Sequence, residues 1–511
     1  MFFISTTIPY VNGTPHLGHL LEVIFNDSIA RYQRRLMKDE VWFCMGLDQH
    51  GQKIYKKSKE EGLSPEDYIN KEKQKFTKLW KDFEISNDVF VETATIKHKT
   101  IAQIAWQKLA KKNLIYKKSY SGLYCVGDES FVSKGQLREN GMCPNHNEFP
   151  VEMQEENYFF KLSKFQDVVR EYVISADIRP KKLKQEILNF LDEGLEDLSI
   201  SRDKSQLPWG VPVLEDEGQV MYVWFEALVN YLTAVVDEES VDKYLEFPLQ
   251  KSEFEKEIWD QIQKSMPTDF IYMGKDMWKF HLIIWPAILY ALDLPPIKVS
   301  QIHGFINDNQ GRKFSKSLGN GVFPEELITK FGIDGARFVM LHEMNLTDDT
   351  DFNWERVMQS YNSNLADNLG NLVVRVSNLI EKYFSGLIDL DAINLDDVEN
   401  YDLLKNMDMK KIYLAMEDYN PPMAMREIFI ESSKINEYLE QTKPWTLAKD
   451  WDKNEDRVRD ILTQSAKSLV EIGKALSLFL PLSGQKIYET FTADRIVKAE
   501  ILFPKIEMEE K

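Results

Sequence analysis

Two histidines, His16 and His19, flank Leu17 and Gly18, and a short basic run, Arg312, Lys313 and Lys316, follows roughly 300 residues later between Gly311 and Gly319. Imidazoles donate hydrogen bonds to phosphate oxygens without demanding a fixed full charge. A lysine ammonium stabilises the charge that develops on a polyphosphate as a bond to phosphorus breaks. Residues of these types suit an anionic, phosphate-bearing ligand. Taken singly, the histidine pair also fits two residues that merely open a helix, or one that satisfies a buried carbonyl.

The flanking sequence says what must hold them. Phe2 to Ile8 is apolar and β-branched, the composition of a strand. Pro9, Gly13 and Pro15 punctuate a turn, after which Leu20, Leu21, Ile24, Phe25 and Ala30 recur at helical spacing, with Arg and Lys gathering over 31–38. The histidines thus sit where a strand gives way to a helix N-terminus. Free N–H groups and the helix dipole make such a place an anion site, and Gly18 lets a ligand approach the backbone. A second apolar run, Val41 to Met45, leads into Gly46, Leu47 and Asp48. This alternation over residues 1–112 implies a parallel sheet with ligands at the carboxyl ends of its strands. There Asp48 either holds an ammonium group or caps the next helix. The sheet is expected to resume at 219–224, followed by Trp224, Ala227, Leu228 and Tyr231 on one helical face, where core packing is the ordinary role. Residues 269–281 read as a strand, a Gly274-Lys275-Asp276 turn and a helix; Asp276 suits ribose hydroxyls or a helix cap.

At 511 residues the chain should form several domains. A net charge of −19 does not advertise nucleic-acid binding, although local basic clusters decide that affinity. Three such clusters exist, around Lys111 to Lys118, Arg179 to Lys184 and Arg312 to Lys316, each consistent with solvated surface. The most apolar stretch, 282–292, is short and interrupted by Pro286, so no membrane span is expected. The first strand begins almost at Met1, which leaves no room for a targeting segment. Three cysteines in so long a chain fit a reducing compartment, the cytoplasm. From about 113 the character changes to that of an insert. Cys125 and Asp128, then Cys143 and His146, have the paired spacing of a zinc knuckle. Either zinc is bound there, or the turns persist without metal. Beyond 350 the chain reads as helical, with Leu365, Leu369, Leu372, Val373, Val376, Leu379, Ile380 and Tyr383 on one stripe. Asn364, Asn368, Asn371 and Arg375 form a second stripe, suited to recognition or to solvent, while Trp445 suits stacking on a base or packing a helix end.

Together, His16-Leu17-Gly18-His19 and Lys313-Phe314-Ser315-Lys316-Ser317 resemble the paired signatures of class I aminoacyl-tRNA synthetases, which usually carry Ile and Met where this chain has Leu17 and Phe314. Both exchanges keep an apolar side chain. The whole chain is similar to methionyl-tRNA synthetases. That resemblance implies an α/β fold: a Rossmann-type parallel-sheet catalytic domain (1–112 and 214–311) split by a connective-peptide insert with its knuckle (113–213). A stem-contact region with the basic loop (312–350) and an α-helical anticodon-binding bundle (351–511) would follow. It implies that methionine and ATP form methionyl adenylate, and that the methionyl group then passes to the 3′ end of tRNA(Met), the initiator included. His16, His19, Lys313 and Lys316 would be catalytic, with His16, Gly18, His19, Gly274, Asp276 and Lys316 binding ATP. Ile8, Tyr10, Asp48, Trp224, Ala227, Leu228, Tyr231, Met277 and His281 match the methionine pocket. There Asp48 would hold the α-ammonium, and Tyr10 and His281 would offer hydrogen bonds to the sulfur. Asn371, Arg375 and Trp445 match the anticodon-reading positions. Mg²⁺ would accompany ATP, and Zn²⁺ would occupy Cys125, Asp128, Cys143 and His146, where Asp128 departs from the usual cysteine. Leu228 stands where some members have Pro. A monomer without membrane contact is implied. The insert, about 100 residues, is far smaller than the editing insert of the isoleucine, valine and leucine enzymes. The competing readings are a cysteine- or leucine-specific relative, a small-molecule nucleotidyltransferase and a noncatalytic RNA-binding relative.

Overall fold

Phe3, Ile4, Ser5 and Thr6 are all buried, so the first strand is covered on both faces, as strands of parallel sheets are. The computed structural model describes residues 1–125, 130–132, 137–138, 140–143, 148–312, 314, 320–390 and 407–507. The chain divides into two compact units: Met1–Pro15, Asp39–Leu79 and Ser86–His303 in the first, and His16–Lys38, Trp80–Ile85 and Gly304–Lys511 in the second.

In the first unit, strands β1 (Phe2–Thr6), β2 (Val41–Leu47) and β3 (Val89–Glu92) lie to one side of a six-stranded parallel sheet. An antiparallel sheet comes next in the chain: β4 (Ile115–Cys125), β5 (Ser130–Val132), β6 (Val151–Phe160) and β8 (Leu198–Ser199), in the order β5-β4-β6-β8. The parallel sheet takes up β7 (Asp177–Arg179), β12 (Phe270–Gly274) and β13 (Val299–His303), giving the order β3-β2-β1-β12-β13-β7. Strand order reverses between β1 and β12, the place where open parallel sheets bind ligands. Ile4 to Thr6 pair with Phe270 to Tyr272 on one side, and Phe2 to Ser5 with Val41 to Cys44 on the other. Aspartates clamp the amino ends of these strands. Asp269 Oδ2 accepts from Phe3 N (2.7 Å), and Asp88 Oδ2 accepts from Phe43 N (2.7 Å). Ile101, Trp106, Phe225, Ile271 and Trp285 belong to the buried core around this sheet.

Two expectations are corrected here. The strand near 219–224 is β11 (Asp216–Met221), which pairs antiparallel with β9 (Ser201–Asp203) and β10 (Pro212–Val213), so the parallel sheet does not resume there. Trp224 already lies in the helix Val223–Glu226. β11 is open to solvent over its first half, Asp216 to Gly218, and buried only over its second, whereas β12, buried throughout, is the one that continues the sheet. In addition, β7 lies within 113–213 yet hydrogen-bonds to β13 at the edge of the parallel sheet.

Among its described residues the second unit is mainly helical, with a two-stranded pair, β14 (Ile306–Asn307) and β15 (Thr350–Asp351). Helix α1 (Leu17–Tyr32) carries Asp27, whose carboxylate accepts from Arg337 Nη2 (2.7 Å) and Arg31 Nε (2.8 Å). Arg337 also donates to Phe479 O (2.6 Å) and Phe83 O (2.9 Å), and neither it nor Asp27 is exposed. Burial lowers the guanidinium from its ordinary value and the Asp27 charge opposes that shift, so Arg337 stays charged. The helix Asn371–Phe384 is preceded by a wider π-helical turn, 362–370, within the predicted stripe. Leu365, Leu369, Leu372, Val373, Val376 and Ile380 are fully buried. Among the described residues, no helix is long and apolar enough to cross a membrane. Replacing Arg337 by Met would strand Phe83 O and Phe479 O and take a buried charged partner from Asp27. A loss of about 3–5 kcal/mol in urea unfolding is expected, while a loss under about 1 kcal/mol would reduce the cluster to surface-like strength.

Candidate active site

His16 and His19 build their own helix cap. His16 Nδ1 accepts from Gly18 N (3.1 Å) and His19 N (3.4 Å), and His19 Nδ1 accepts in return from His16 N (3.4 Å). This is a capping box in which imidazoles replace the usual Ser and Glu. A ring nitrogen that accepts carries no hydrogen, so in each ring the proton sits on Nε2. The rings stack with centroids 3.6 Å apart. Gly18 has a second use: a Cβ there would stand 3.0 Å from His16 Cε1 and displace the ring. These three residues belong to the second unit.

The residues predicted to hold the amino acid, together with Gly274 and Asp276, belong to the first unit. Asp48 N donates to Pro9 O (2.9 Å) and Val11 N to Asp48 O (2.9 Å), a parallel bridge that sets Asp48 beside Tyr10 at the carboxyl end of β2. Gly46 permits the close packing there, since a Cβ would come within 2.4 Å of Val91 O. Asp48 is 4% exposed, and its Oδ1 accepts from His50 N (3.4 Å). Ile8 and Tyr10 are half-buried, while Ala227, Leu228 and Tyr231 are buried in a broken helical run, 223–233. Trp224 stacks on Phe280 (3.7 Å, 11° between planes). Phe280 was missed in the sequence, although it stands three residues after Met277 and next to His281.

The His281 tautomer follows from its partners. Nδ1 faces Met277 O (3.0 Å), which only accepts, so Nδ1 carries the hydrogen and Nε2 accepts from Tyr231 Oη (2.8 Å). Burial drives this imidazole down to about 4, against the raising effect of the Met277 bond. His281 therefore has no N–H to offer a thioether, contrary to the expectation above; its ring face and edge are what it presents. Gly274 ends β12 and is buried, Met277 is half-buried and Asp276 is exposed in the following turn. Glu226, also missed, is fully buried between His50 and His98.

Lys313 and Lys316 lie outside the described residues, as do Asp128 and His146. At the base of the basic loop, Asp308 accepts from Asn320 Nδ2 (2.8 Å) and Arg312 Nε (2.8 Å). The Asn320 hydrogen bond is the largest influence holding its carboxyl well below the usual range; burial opposes it and Arg312 adds to it. Cys125 and Cys143 are both buried and pack with Val132 in one small apolar cluster. In the bundle, Arg375 donates to Glu440 Oε1 (2.7 Å) and Asn436 Oδ1 (2.5 Å), with Trp445 5.8 Å from its guanidinium. Asn371 is exposed at the start of the same helix. Asn368, by contrast, bonds to Phe429 O, Ser432, Ser433 and Asn436, so that part of the asparagine stripe holds helix to helix. Two of the basic clusters are likewise engaged internally, as in Lys112 with Asp293, Lys117 with Asp216 and Arg179 with Asp177.

Comparison with known proteins gives a consistent answer. The family model described as tRNA synthetases class I (M) matches residues 2–149 and 139–377. A methionine–tRNA ligase from Caldanaerobacter subterraneus subsp. tengcongensis is 36% identical over 532 residues, covering 100% of this chain and 80% of the relative. Its counterpart from Bacillus subtilis is 34% identical over 545 residues, covering 100% and 78%. Among solved structures, Mycobacterium tuberculosis methionyl-tRNA synthetase in complex with methionyl-adenylate superposes with a TM-score of 0.84 at 27% identity, covering 100% of this chain and 98% of that one. The ligand-free form gives 0.79 at 25% identity, covering 99% and 98%.

The His281 tautomer makes a thermodynamic prediction. An unfolded histidine takes up its proton near pH ~6.5, but this one does so only at about 4 when folded. Its contribution to stability is therefore complete above pH ~6.5 and lost as pH falls towards the folded value. Between pH 7 and pH 5 the parent should lose roughly 2 kcal/mol more unfolding free energy than His281→Gln. Equal losses in urea titrations at the two pH values would contradict the buried neutral ring.

Proposed function

The chain belongs to the class I tRNA synthetases of the methionine type, and on that premise we propose the roles its residues take in joining methionine to tRNA(Met). The observation that carries the assignment of roles is the bridge between Tyr10 and Asp48 in the first unit. A buried carboxylate, Asp48, stands by Tyr10 at the carboxyl end of the sheet, next in sequence to strands whose order reverses at β1 and β12. Asp48 takes the α-ammonium of methionine. Ile8, Tyr10, Trp224, Ala227, Leu228, Tyr231, Met277 and His281 surround the thioether, which is polarizable and favours aromatic edges. The neutral His281 ring suits a group with no charge to offer.

In the first step a methionine carboxylate oxygen bonds to the α-phosphorus of ATP as the bond to the bridging oxygen breaks, releasing pyrophosphate. In the second, a ribose hydroxyl at the tRNA 3′ end bonds to the activated carbonyl, losing its proton, and AMP leaves. Neither step needs a nucleophile from the protein; rate comes from positioning and charge stabilisation. The Nε2–H groups of His16 and His19 donate to phosphate oxygens at the helix N-terminus. Lys316, with Lys313 in support, meets the charge that develops on the triphosphate. Gly274 gives the adenosine close approach and Asp276 accepts from ribose hydroxyls. Mg²⁺ travels with ATP and neutralises part of its phosphate charge without a dedicated protein cage.

Asn371 and Arg375 read anticodon base edges while Trp445 stacks on an unpaired base. At the knuckle, the two clustered thiols suit zinc, with Asp128 and His146 as the remaining donors; bound there, the ion clamps two turns of the insert. The enzyme works in the cytoplasm, where its three unbridged cysteines are compatible with a reducing medium.

Methionine-dependent ATP–pyrophosphate exchange followed by charging of purified tRNA(Met) tests the reading. Exchange with cysteine or leucine instead would replace it. Lys316→Ala should leave methionine affinity within about twofold while slowing single-turnover adenylate formation at least ~100-fold. Equal single-turnover rates would remove Lys316 from the chemistry. Trp445→Ala should lower kcat/KM for tRNA at least ~10-fold and spare the exchange reaction, consistent with the weight of a stacked base. A parallel fall in exchange would mark Trp445 as structural.

A further inference from the structure

Glu226 takes no part in the reaction as outlined, yet it holds a carboxylate where water does not reach. Oε1 lies 3.0 Å from His50 Nδ1 and Oε2 lies 2.8 Å from His98 Nε2. The other nitrogen of His98 lies 3.0 Å from Thr233 Oγ1, whose own proton is directed at Val229 O (3.2 Å). A carboxylate oxygen only accepts, so His98 Nε2 donates to Glu226 while its other nitrogen is held at the Thr233 hydroxyl. Burial alone would raise the Glu226 pKa, but the His50 charge and the hydrogen bonds from both histidines outweigh it, so the carboxyl stays ionised.

The network ties together the elements that line the amino-acid crevice. His50 N donates to Asp48 Oδ1, and the same residue's ring is held by Glu226. Glu226 stands between Trp224 and Ala227 in the helical run, and His98 anchors it to the helix Ile96–Lys111. Trp209 Nε1 donates to Gln49 O (2.7 Å), fixing the residue between Asp48 and His50. A buried charge pair with few alternatives is a stiff brace, because any displacement strands an ion in a low-dielectric interior.

We propose that Glu226 is a positioning residue for amino-acid recognition, acting through His50 to aim the Asp48 carboxylate at the substrate ammonium. This rests on Asp48 holding that ammonium. The experiment is calorimetric binding of L-methionine and of its 2-hydroxy analogue, which keeps the thioether but lacks the ammonium, to the full chain. The ratio of the two dissociation constants reports the ammonium contact alone. In the parent, methionine binds more tightly; Asp48→Ala should bring the ratio close to one, and a ratio that survives this change defeats the pocket reading itself. With that arm in place, Glu226→Gln, which keeps shape and removes charge, should reduce the ratio on the order of tenfold while leaving ATP affinity unchanged. Loss of affinity for both ligands by the same factor would make Glu226 a merely structural brace and overturn the proposal, as would an unchanged ratio. If Glu226→Gln does not fold, His98→Gln carries the same test, since it keeps a nitrogen donor and removes the ring that links Glu226 to Thr233. A ratio reduced about threefold supports the proposal, and an unchanged one ends it.

Discussion

Two main-chain hydrogen bonds, Asp48 N to Pro9 O and Val11 N to Asp48 O, set the geometry from which the rest of the catalytic unit follows. They extend the pairing of β1 and β2 past the ends of both strands, so Tyr10 and Asp48 face a common space. A carboxylate at the carboxyl end of a strand would otherwise be free to cap the helix that follows. Here the bridge holds its backbone and the His50 amide holds its buried side chain. The same bridge fixes the start of the short turn that leads to His16 in the chain.

Neutral imidazoles do much of the work in the proposed chemistry, and each is kept neutral or oriented by a different device. His16 and His19 spend their Nδ1 atoms on the cap of α1, which puts the ring hydrogen of each on Nε2. His281 spends its one hydrogen on Met277 O and accepts from Tyr231. Gly18 and Gly46 are required by close approach, to a ring in one case and to a neighbouring strand in the other. In the second unit, Arg337 gathers Asp27, Phe83 O and Phe479 O, so the helix that opens with the histidines is braced by a charge buried further along it.

Much of this was legible in the residues. Continuous apolar runs in β1, β2 and β12 announced a parallel sheet, and the two spaced motifs announced polyphosphate chemistry. What failed did so for physical reasons. β11 reads as a strand in either sheet, because a run of six residues does not encode its partner; only long-range pairing separates the two. The asparagine stripe, read as suited to recognition or to solvent, divides: Asn368 is consumed by the neighbouring helix while Asn371 is exposed. Glu226, His50 and His98 are scattered across about 180 residues, with no spacing to betray that they meet. Phe280 was hidden by being one aromatic among many.

The most direct measurement is a crystal structure of the protein with a non-hydrolysable methionyl-adenylate analogue. The account requires the analogue's α-ammonium within about 3 Å of an Asp48 carboxylate oxygen, and its thioether against Trp224 and the His281 ring. An ammonium held by another carboxylate, or a thioether outside the crevice beside Tyr10, would contradict it.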